Sequence, residues 1–374
     1  MDNAAFDIKE ILSGFTFDGE YVGFELSNSG HINNTFILFF EQPGGGKTSY
    51  ILQQINTHVF KQPEQLMENI VGITTYLAEK IRETGGDPER ETLHVIPSVS
   101  GKSFYVDAEG RYWRCYNYVS SSYSCEKIDS PHVFYNAAKA FGRFQRMLAD
   151  YPIDSLYETI PGFHNTVSRF EAFLEAVKTD AAGRAADASD EIAFVLERKN
   201  DAGVLLDLLA RGELPLRVTH NDTKLNNVMF DCESREGICV IDLDTVMPGL
   251  SLYDFGDSIR FGANTASEDE TDLSKVSLDL ELYEQYTRGY LHAAGKALTY
   301  REVEYLPFSA KLMTLECGMR FLTDHLNGDH YFRIAYPGHN LVRCRTQFAL
   351  VADIEKKMDR MQTITQRIYR ELPA

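Results

Sequence analysis

HNDTKLNN, residues 220–227, is followed closely by VIDLD, residues 240–244, and these two stretches give the clearest indication of the fold in this sequence. The first stretch is too rich in Asn and Asp to lie inside a helix, where such side chains compete for backbone hydrogen bonds. An apolar run, a polar turn and a second apolar run separate the two stretches. This pattern predicts a β-hairpin that folds Asp242 back beside Asn227.

The hairpin would bring Asp222, Asn227 and Asp242 around one point. A carboxylate can orient an attacking hydroxyl and accept its proton, while hard oxygen ligands can hold Mg²⁺ on the phosphates of a nucleotide. Lys224 closely follows the proposed base and would offset the charge that develops on a transferred phosphoryl group. The alternative is a polar loop whose Asn and Asp side chains only form turns and caps. The second aspartate, at the end of a paired strand, favours a phosphotransferase site.

These residues resemble a known pattern. H-x-D-x-K-x-x-N at 220–227, followed by an aliphatic strand that ends in Asp242, is similar to the catalytic loop and metal site of protein-kinase-like enzymes. Asn221 and the Leu-Asp pair at 243–244 are similar to the branch that contains the aminoglycoside phosphotransferases and choline kinases. The longer stretches LPLRVTHNDTKLNNVMFD and CVIDLDTVMPGLSLYDFGDSIRFGA resemble the N-acetylhexosamine 1-kinases. So do SGHINNTFIL, YILQQIN, IPGFHNT and FLTDHLNGDHYF, and the resemblance therefore extends over almost the whole chain.

The order of the elements agrees with this resemblance. Apolar patterns predict three strands, a helix over 64–81 and two more strands, and helical patterns dominate from residue 131 onward. We therefore predict an α+β, bilobal protein-kinase-like fold with a five-stranded antiparallel N-lobe sheet and a mainly helical C-lobe. Residues 1–118 would form the nucleotide-binding N-lobe, and residues 119–374 would carry the catalytic loop, the metal site and the sugar pocket.

The resemblance also implies an activity. It implies a kinase that uses ATP and Mg²⁺ to phosphorylate the anomeric hydroxyl of GlcNAc or GalNAc, with the sugar 1-phosphate and ADP as products. Asp222 would deprotonate O1 and Lys224 would steady the γ-phosphoryl group. Asn227 and Asp242 would hold Mg²⁺. Kinases of choline, homoserine, methylthioribose or aminoglycosides stay open as alternatives, as does a pseudokinase that binds nucleotide without turnover.

The expected nucleotide contacts lie in the N-lobe and in the connection that leaves it. Ser29 and Gly30, in a turn, would cover the phosphates with backbone N–H groups. Gln53 stands where the protein-kinase pattern has a strand lysine, and a carboxamide can hydrogen-bond a phosphate but cannot neutralise it. The adenine is expected to hydrogen-bond the backbone of the connection, at Asn117, Tyr118 and Val119.

GGGKT, residues 44–48, invites a P-loop interpretation. A P-loop needs a further glycine at position 41, where this chain has Glu41, and it must join a strand to a helix. Residues 49–55 instead favour a strand. We therefore predict a hairpin loop with no part in phosphate binding.

The acceptor sugar is expected to bind to the C-lobe. Arg320 and Asp324 lie on an apolar helical pattern and share one face, as residues at i and i+4 do. A surface ion pair of little energetic effect is the alternative, but charged side chains in a largely buried helix favour a functional role. By the resemblance, Arg320 and Tyr331 would contact the sugar. Asp324 would accept from its hydroxyls, and His31 is a further candidate contact.

The composition limits the classes of function. A formal net charge of −18 over 374 residues argues against a nucleic-acid partner, because phosphate backbones require a surplus of Lys and Arg. No window approaches the roughly 18 apolar residues of a membrane span, and the N-terminus lacks the pattern of a signal peptide. The six cysteines are scattered without C-x-x-C spacing, which favours reduced thiols and a cytoplasmic protein. We expect a monomer whose partners are ATP and a small sugar.

Overall fold

The computed structural model describes residues 7–27 and 32–373, in which a strand-rich part precedes a helical part. The strands are β1 (Glu20–Leu26), β2 (Asn34–Glu41), β3 (Lys47–Gln54), β4 (Val95–Ile96), β5 (Tyr105–Val106), β6 (Tyr112–Asn117), β7 (Ser122–Tyr123), β8 (Arg217–Thr219), β9 (Val228–Asp231), β10 (Gly237–Val240) and β11 (Met247–Gly249). The α-helices are α1 (Ile8–Ser13), α2 (Pro63–Glu83), α3 (Pro88–Glu91), α4 (Pro131–Met147), α5 (Thr166–Thr179), α6 (Ser189–Glu197), α7 (Val204–Ala210), α8 (Ser251–Gly262), α9 (Leu280–Ala294), α10 (Tyr300–Asn327) and α11 (His339–Glu371).

The N-lobe contains an antiparallel sheet with the strand order β1-β2-β3-β6-β4, and β5 also pairs with β6. The continuous path consists of the five predicted strands. The two-residue β5 makes the sheet six-stranded, which corrects the predicted number, because so short a strand has no period to detect. β2 and β3 form a hairpin in which Glu41 pairs with Lys47. The GGGKT stretch is therefore a hairpin loop, as predicted, and Gly44 and Gly45 supply the positive φ angles of its turn.

The two faces of this sheet have different chemistry, because side chains alternate between the faces along each strand. On one face Leu38 and Leu52 are buried in an apolar cluster with residues of α1. On the other face, polar side chains from three adjacent strands lie in register: Thr35 on β2 is opposite Gln53 on β3, and Gln53 is opposite Arg114 on β6. This polar face is turned toward the C-lobe, since Arg114 forms an ion pair with Asp244 there.

α2 packs against both lobes. Its side chain Asn69 donates to the backbone oxygens of Tyr157 at 2.8 Å and Val246 at 3.2 Å, both beyond the N-lobe sheet in the chain. The neighbouring Glu68 is exposed and hydrogen-bonds the Tyr157 side chain. The apolar stripe predicted for this helix is buried in a cluster that also contains side chains of α4: Leu66, Ile70, Ile73, Leu77 and Ile81.

The C-lobe is built from α4, α8, α9, α10 and α11, whose apolar faces share one core cluster. The predicted hairpin is present, because β9 pairs with β10 and Val228 lies opposite Val240. The Ile241 N–H then donates to the Asn227 oxygen at 2.9 Å, so Asp242 follows the strand beside Asn227, as predicted. The division of the chain after residue 118 stays a prediction. It agrees with the pairing of β7, which follows the proposed boundary, with β9 of the C-lobe.

The long helices α10 and α11 pack against each other and contribute to the C-lobe core. α10 begins with a capping box formed by Thr299 and Glu302, which satisfies backbone N–H groups of its first turn. Within residues 7–27 and 32–373, none of the helices combines the length and the apolar character that crossing a membrane requires.

Candidate active site

The catalytic loop is held in place by a buried carboxylate on α8. Asp254 is 1% exposed and accepts hydrogen bonds from the backbone N–H groups of His220 at 2.9 Å and Asn221 at 2.7 Å. Asn221 has a φ of +63°, a left-handed conformation that Asn tolerates better than most residues. The Thr223 hydroxyl donates to the Asp254 backbone oxygen at 2.6 Å. These contacts fix the loop on both sides of Asn221 and so determine where Asp222 lies.

Asp222, Lys224 and Asn227 form one hydrogen-bonded group. The Lys224 Nζ lies 2.8 Å from Asp222 Oδ1. The Asn227 amide donates to the Asp222 backbone oxygen at 2.8 Å and more weakly to Asp222 Oδ2 at 3.3 Å. Burial alone would lower the pKa of Lys224, but the charge of Asp222 outweighs this effect and the pKa is raised. Lys224 therefore remains a cation beside the carboxylate.

Asp242 completes this group from the other segment. It follows β10 in a left-handed conformation, with φ of +59°. None of the described residues donates a hydrogen bond to its carboxylate. Loss of hydration within the surrounding protein, together with the nearby negative charges of Asp244 and Asp222, raises the pKa of Asp242 to about 7.

This environment fits a divalent cation. An acidic side chain that lacks donors and is crowded by negative charge gains most from a nearby positive ion. The Asn227 amide nitrogen is turned toward Asp222, which leaves its oxygen without a donor among the described residues. One carboxylate and one amide oxygen suit Mg²⁺, which takes its other ligands from phosphates and water. Residues 7–27 and 32–373 contain no cluster of three or more His, Cys, Asp or Glu side chains arranged for a metal.

The side chain of Gln53 is engaged by its neighbours on the sheet. It accepts from Arg114 Nε at 3.0 Å and donates to the Thr35 hydroxyl at 3.0 Å. Arg114 in turn pairs with Asp244, the second aspartate of the VIDLD stretch. Arg114 was not predicted as part of the site, because its position opposite Gln53 depends on the strand register. A direct phosphate contact by Gln53 stays a prediction.

The connection that was predicted to hold adenine presents two backbone N–H groups, of Tyr118 and Val119, that have no acceptor among the described residues. The backbone N–H of Asn117 donates to the His94 oxygen at 3.0 Å. Its side chain accepts from the His94 N–H at 2.7 Å, so Asn117 is committed to the sheet. Tyr118 is exposed, whereas Val119 is buried and its N–H has no acceptor among the described residues. Ser29, Gly30 and His31 lie outside the described residues, and their roles stay predictions.

Arg320 and Tyr331 are brought together, as the predicted sugar contacts require. The Arg320 guanidinium lies over the rings of Phe163 at 5.8 Å, Tyr331 at 5.7 Å and Phe332 at 5.5 Å. It also donates to the Tyr331 hydroxyl at 3.3 Å. Tyr331 is 69% exposed, so much of its ring is available to a ligand.

The prediction that Asp324 accepts from sugar hydroxyls is wrong for the described structure. Asp324 is 5% exposed, and its carboxylate accepts from the backbone N–H groups of Tyr331 at 2.8 Å and Phe332 at 2.9 Å. It also accepts from the His330 N–H and from the Asn340 side chain, each at 2.9 Å. It forms no ion pair with Arg320. A buried carboxylate with four donors has no capacity left for a ligand, and its role is to hold the loop that carries Tyr331.

A second buried carboxylate joins this aromatic region to the catalytic loop. Glu316 on α10 accepts from the Thr166 hydroxyl at 2.5 Å and lies 2.9 Å from His164 Nδ1. The other ring nitrogen of His164 lies 3.3 Å from the Asn221 oxygen. The backbone neighbour Phe163 is one of the rings under Arg320. The aromatic region and the proposed base are therefore linked through residues 163–164.

Comparisons with known proteins agree with this geometry. Residues 119–304 match the model of the phosphotransferase enzyme family, and this segment contains the catalytic loop, the hairpin, Asp242 and α8. A microcompartment-associated aminopropanol kinase is 16% identical with a TM-score of 0.57, covering 91% of this chain and 93% of that one. An aminoglycoside phosphotransferase from Alicyclobacillus acidocaldarius is 11% identical with a TM-score of 0.59, covering 99% and 98%. Choline kinase from Cryptosporidium parvum is 14% identical with a TM-score of 0.53, covering 92% and 91%.

The fold and the site together define the class. The structural likenesses are at low identity and show the protein-kinase-like, α+β fold, as predicted. Residues 119–304, just under half of the chain, are similar to the phosphotransferase enzyme family. The fold is thus protein-kinase-like, and the segment that carries the candidate site is similar to phosphotransferases.

Proposed function

We propose that this protein transfers the γ-phosphoryl group of ATP, with Mg²⁺, to the anomeric hydroxyl of an N-acetylhexosamine such as GlcNAc or GalNAc. The observation that carries the phosphotransfer is the convergence of Asp222, Lys224 and Asn227 with Asp242 from a separate segment. The sugar rests on the resemblance of the sequence and on the composition of the acceptor side of the site.

Asp222 is the proposed base. Its carboxylate would accept the proton of the attacking hydroxyl, and an anomeric hydroxyl is more acidic than an ordinary alcohol, so a carboxylate suffices. The catalytic loop is fixed by Asp254, which keeps the base in position without help from the substrate. Lys224, already charged beside Asp222, would offset negative charge on the transferred group. When bound through Asn227 and Asp242, Mg²⁺ would supply charge neutralisation to the phosphates.

The acceptor side of the site offers hydrogen-bond donors and aromatic surface. Arg320 has five N–H donors, and Tyr331 is its one hydrogen-bond partner among the described residues. The remaining donors suit hydroxyl and acetamide oxygens of a sugar. The exposed ring of Tyr331 suits the apolar face of a pyranose.

The charge of this region disfavours a cationic acceptor. The pKa of Arg169 is lowered by burial and by the neighbouring charge of Arg320, so the two guanidinium groups lie close together. Two of the structurally similar proteins are named for aminopropanol and choline, which carry a positive charge at neutral pH. The pair of arginines would repel such a molecule, an effect that Glu316 offsets in part, whereas a neutral, oxygen-rich sugar avoids this repulsion.

A substrate panel tests the proposal. The protein with Mg²⁺ and ATP is offered GlcNAc, GalNAc, glucose, glucosamine, choline and an aminoglycoside, and ADP release is measured. We expect turnover with the N-acetylhexosamines, with the product identified as a sugar 1-phosphate by ³¹P NMR. Turnover of choline or the aminoglycoside alone would overturn the proposed acceptor. Nucleotide binding without turnover of any acceptor would indicate a pseudokinase.

A further inference from the structure

A buried ion pair joins the N-lobe sheet to the segment that contains Asp242. Arg114 on β6 is 1% exposed, and its guanidinium pairs with Asp244, 130 residues further along the chain. The second oxygen of Asp244 accepts from the Asn33 amide at 2.7 Å. Both oxygens of Asp244 are therefore held by the N-lobe.

The guanidinium is itself fixed on the sheet. Its Nε donates to Gln53 at 3.0 Å, and the Gln53 amide donates to Thr35 at 3.0 Å. The guanidinium also lies 5.3 Å from the centre of the Tyr116 ring. Burial alone would lower the pKa of Arg114, but the charge of Asp244 outweighs it and the pKa is raised. The Arg114 guanidinium is thus fixed on the sheet and extends toward the C-lobe.

The ends of the segment that contains Asp242 are held by the catalytic loop, since the Ile241 N–H donates to the Asn227 oxygen at 2.9 Å and the Thr245 hydroxyl donates to the His220 oxygen at 2.7 Å. Asp242 has a left-handed backbone conformation, which ends the extended strand, and a single 3-10 turn at Leu243–Thr245 follows it. None of the described residues hydrogen-bonds the Asp242 carboxylate. From the N-lobe side, Arg114 and Asn33 hold Asp244 within the turn, and Asn69 donates to the Val246 oxygen at 3.2 Å directly after it.

We propose that Arg114 is a positioning residue for the metal–nucleotide complex: through Asp244 it holds Asp242 in the orientation that binds Mg²⁺. The proposal rests on the proposed use of a magnesium nucleotide, but it is independent of the identity of the acceptor. It also accounts for Gln53 at the position of a strand lysine. Here the N-lobe cation is Arg114, on the strand adjacent to Gln53. It would position Asp242 through Asp244 instead of contacting the phosphates.

ADP binding with and without Mg²⁺ tests this role, because it needs no turnover. Isothermal titration calorimetry is run in MgCl₂ and in EDTA on the wild type, on Arg114→Gln and on Arg114→Gln/Asp244→Asn. The double variant replaces a charged pair by a neutral pair of similar size, so it leaves no unpaired buried charge. Arg198→Gln is the matched control, since it removes a bidentate arginine pair with Glu355 elsewhere in the C-lobe.

For Arg114→Gln we expect the Mg²⁺-dependent gain in ADP affinity to fall at least about tenfold, with affinity in EDTA within about twofold of the wild type. The double variant should recover the melting temperature but not the gain from Mg²⁺. Arg198→Gln should lower the melting temperature and keep the full gain. If the double variant regains both stability and the Mg²⁺ effect, Arg114 is merely structural and the proposal is overturned.

The two proposals fail in different ways. A wild type whose ADP affinity ignores Mg²⁺ would overturn the proposed function and this inference together. A wild type with a strong Mg²⁺ effect, and an Arg114→Gln variant that retains it in full, would overturn this inference alone.

Discussion

The catalytic loop and the polar face of the N-lobe sheet are built in opposite ways. In the loop, the functional side chains lie within eight residues, 220–227, and one buried carboxylate, Asp254, holds their backbone. On the sheet, the carboxamide and the cation come from two strands, as Gln53 and Arg114 meet only because β3 and β6 are in register. Functional residues that lie close together in the sequence can be recognised as a motif. Functional residues that meet only through the register of two strands cannot.

The first prediction tests whether the loop is completed by the second segment. Asp242→Asn should abolish Mg²⁺-dependent ATP binding and activity together, since the phosphates lose the ion that neutralises them. Nucleotide titrations in MgCl₂ and in EDTA measure the effect, alongside steady-state turnover. A variant that keeps both Mg²⁺-dependent ATP binding and turnover would show that Asp242 is not part of the site. The site would then consist of the loop residues alone.

The same variant has a pH signature in the metal-free protein. The pKa of Asp242 is raised to about 7 in the folded state, above roughly 3.9 for an unperturbed Asp. The folded state therefore binds the proton more tightly than the unfolded state, and the free energy of unfolding falls as pH rises from about 4 to about 7. In EDTA, Asp242→Asn should melt above the wild type at pH 8, and the difference should shrink toward pH 4. Equal melting temperatures at pH 8 would contradict the raised pKa.

The second prediction concerns the loop itself. Asp222→Asn should fold normally and lose at least about 10²-fold in kcat, because general-base catalysis contributes about 10²–10⁴. Turnover and melting temperature are measured on the same preparation. Near-full turnover would exclude Asp222 as the base and move the active site elsewhere.

The third prediction extends the comparison to the acceptor side, where Arg320 was predicted from a helical pattern and from the resemblance. Arg320→Ala should raise KM for the sugar and leave KM for ATP nearly unchanged. Loss of hydrogen bonds from a charged donor costs about 1.5–3 kcal/mol, roughly 10- to 150-fold in kcat/KM. A lower melting temperature with an intact KM for the sugar would show that Arg320 only packs against its aromatic neighbours.

The smallest effect is expected in the glycine-rich loop. Lys47→Ala should leave ATP binding and turnover unchanged, because Lys47 pairs with Glu41 in a hairpin that joins two strands of the N-lobe. The measurement is the same nucleotide titration that is applied to Asp242→Asn. If Lys47→Ala lost ATP binding and Asp242→Asn retained it, the glycine-rich loop would be the phosphate site and the P-loop interpretation would be correct.

Sequence reasoning succeeded where a pattern repeats within a few residues. The stripe of α2 was predicted from 3.6-residue periodicity, and the β9–β10 hairpin from two apolar runs around a polar turn. The hairpin then brings Asp242 beside Asn227 without any further information. Sequence reasoning missed Asp254, which follows the VIDLD stretch closely in the chain. The role of this residue is to accept hydrogen bonds from backbone N–H groups, and such groups carry no sequence signal.

Asp324 shows the same limit from the other direction. Its spacing from Arg320 predicted a shared face and a ligand contact, and the helix is present as predicted. The carboxylate is nevertheless consumed by the backbone of the loop at residues 330–332, which spacing along one helix cannot reveal. A side chain's neighbours on its own helix are set by the helical period, but its hydrogen-bond partners are set by whatever the tertiary structure packs against it.

The sequence by itself therefore determined the hairpin and the aspartate that it returns beside Asn227, because both depend on contacts between residues close in the chain, and its resemblance to known enzymes indicated the class of fold. Only the tertiary structure decided that Arg114 pairs with Asp244, that Asp254 holds the loop and that Asp324 supports Tyr331. Each of these is a buried charge, which is stable only when distant parts of the chain supply its partners. Register and packing select those partners, and neither is encoded in a local pattern.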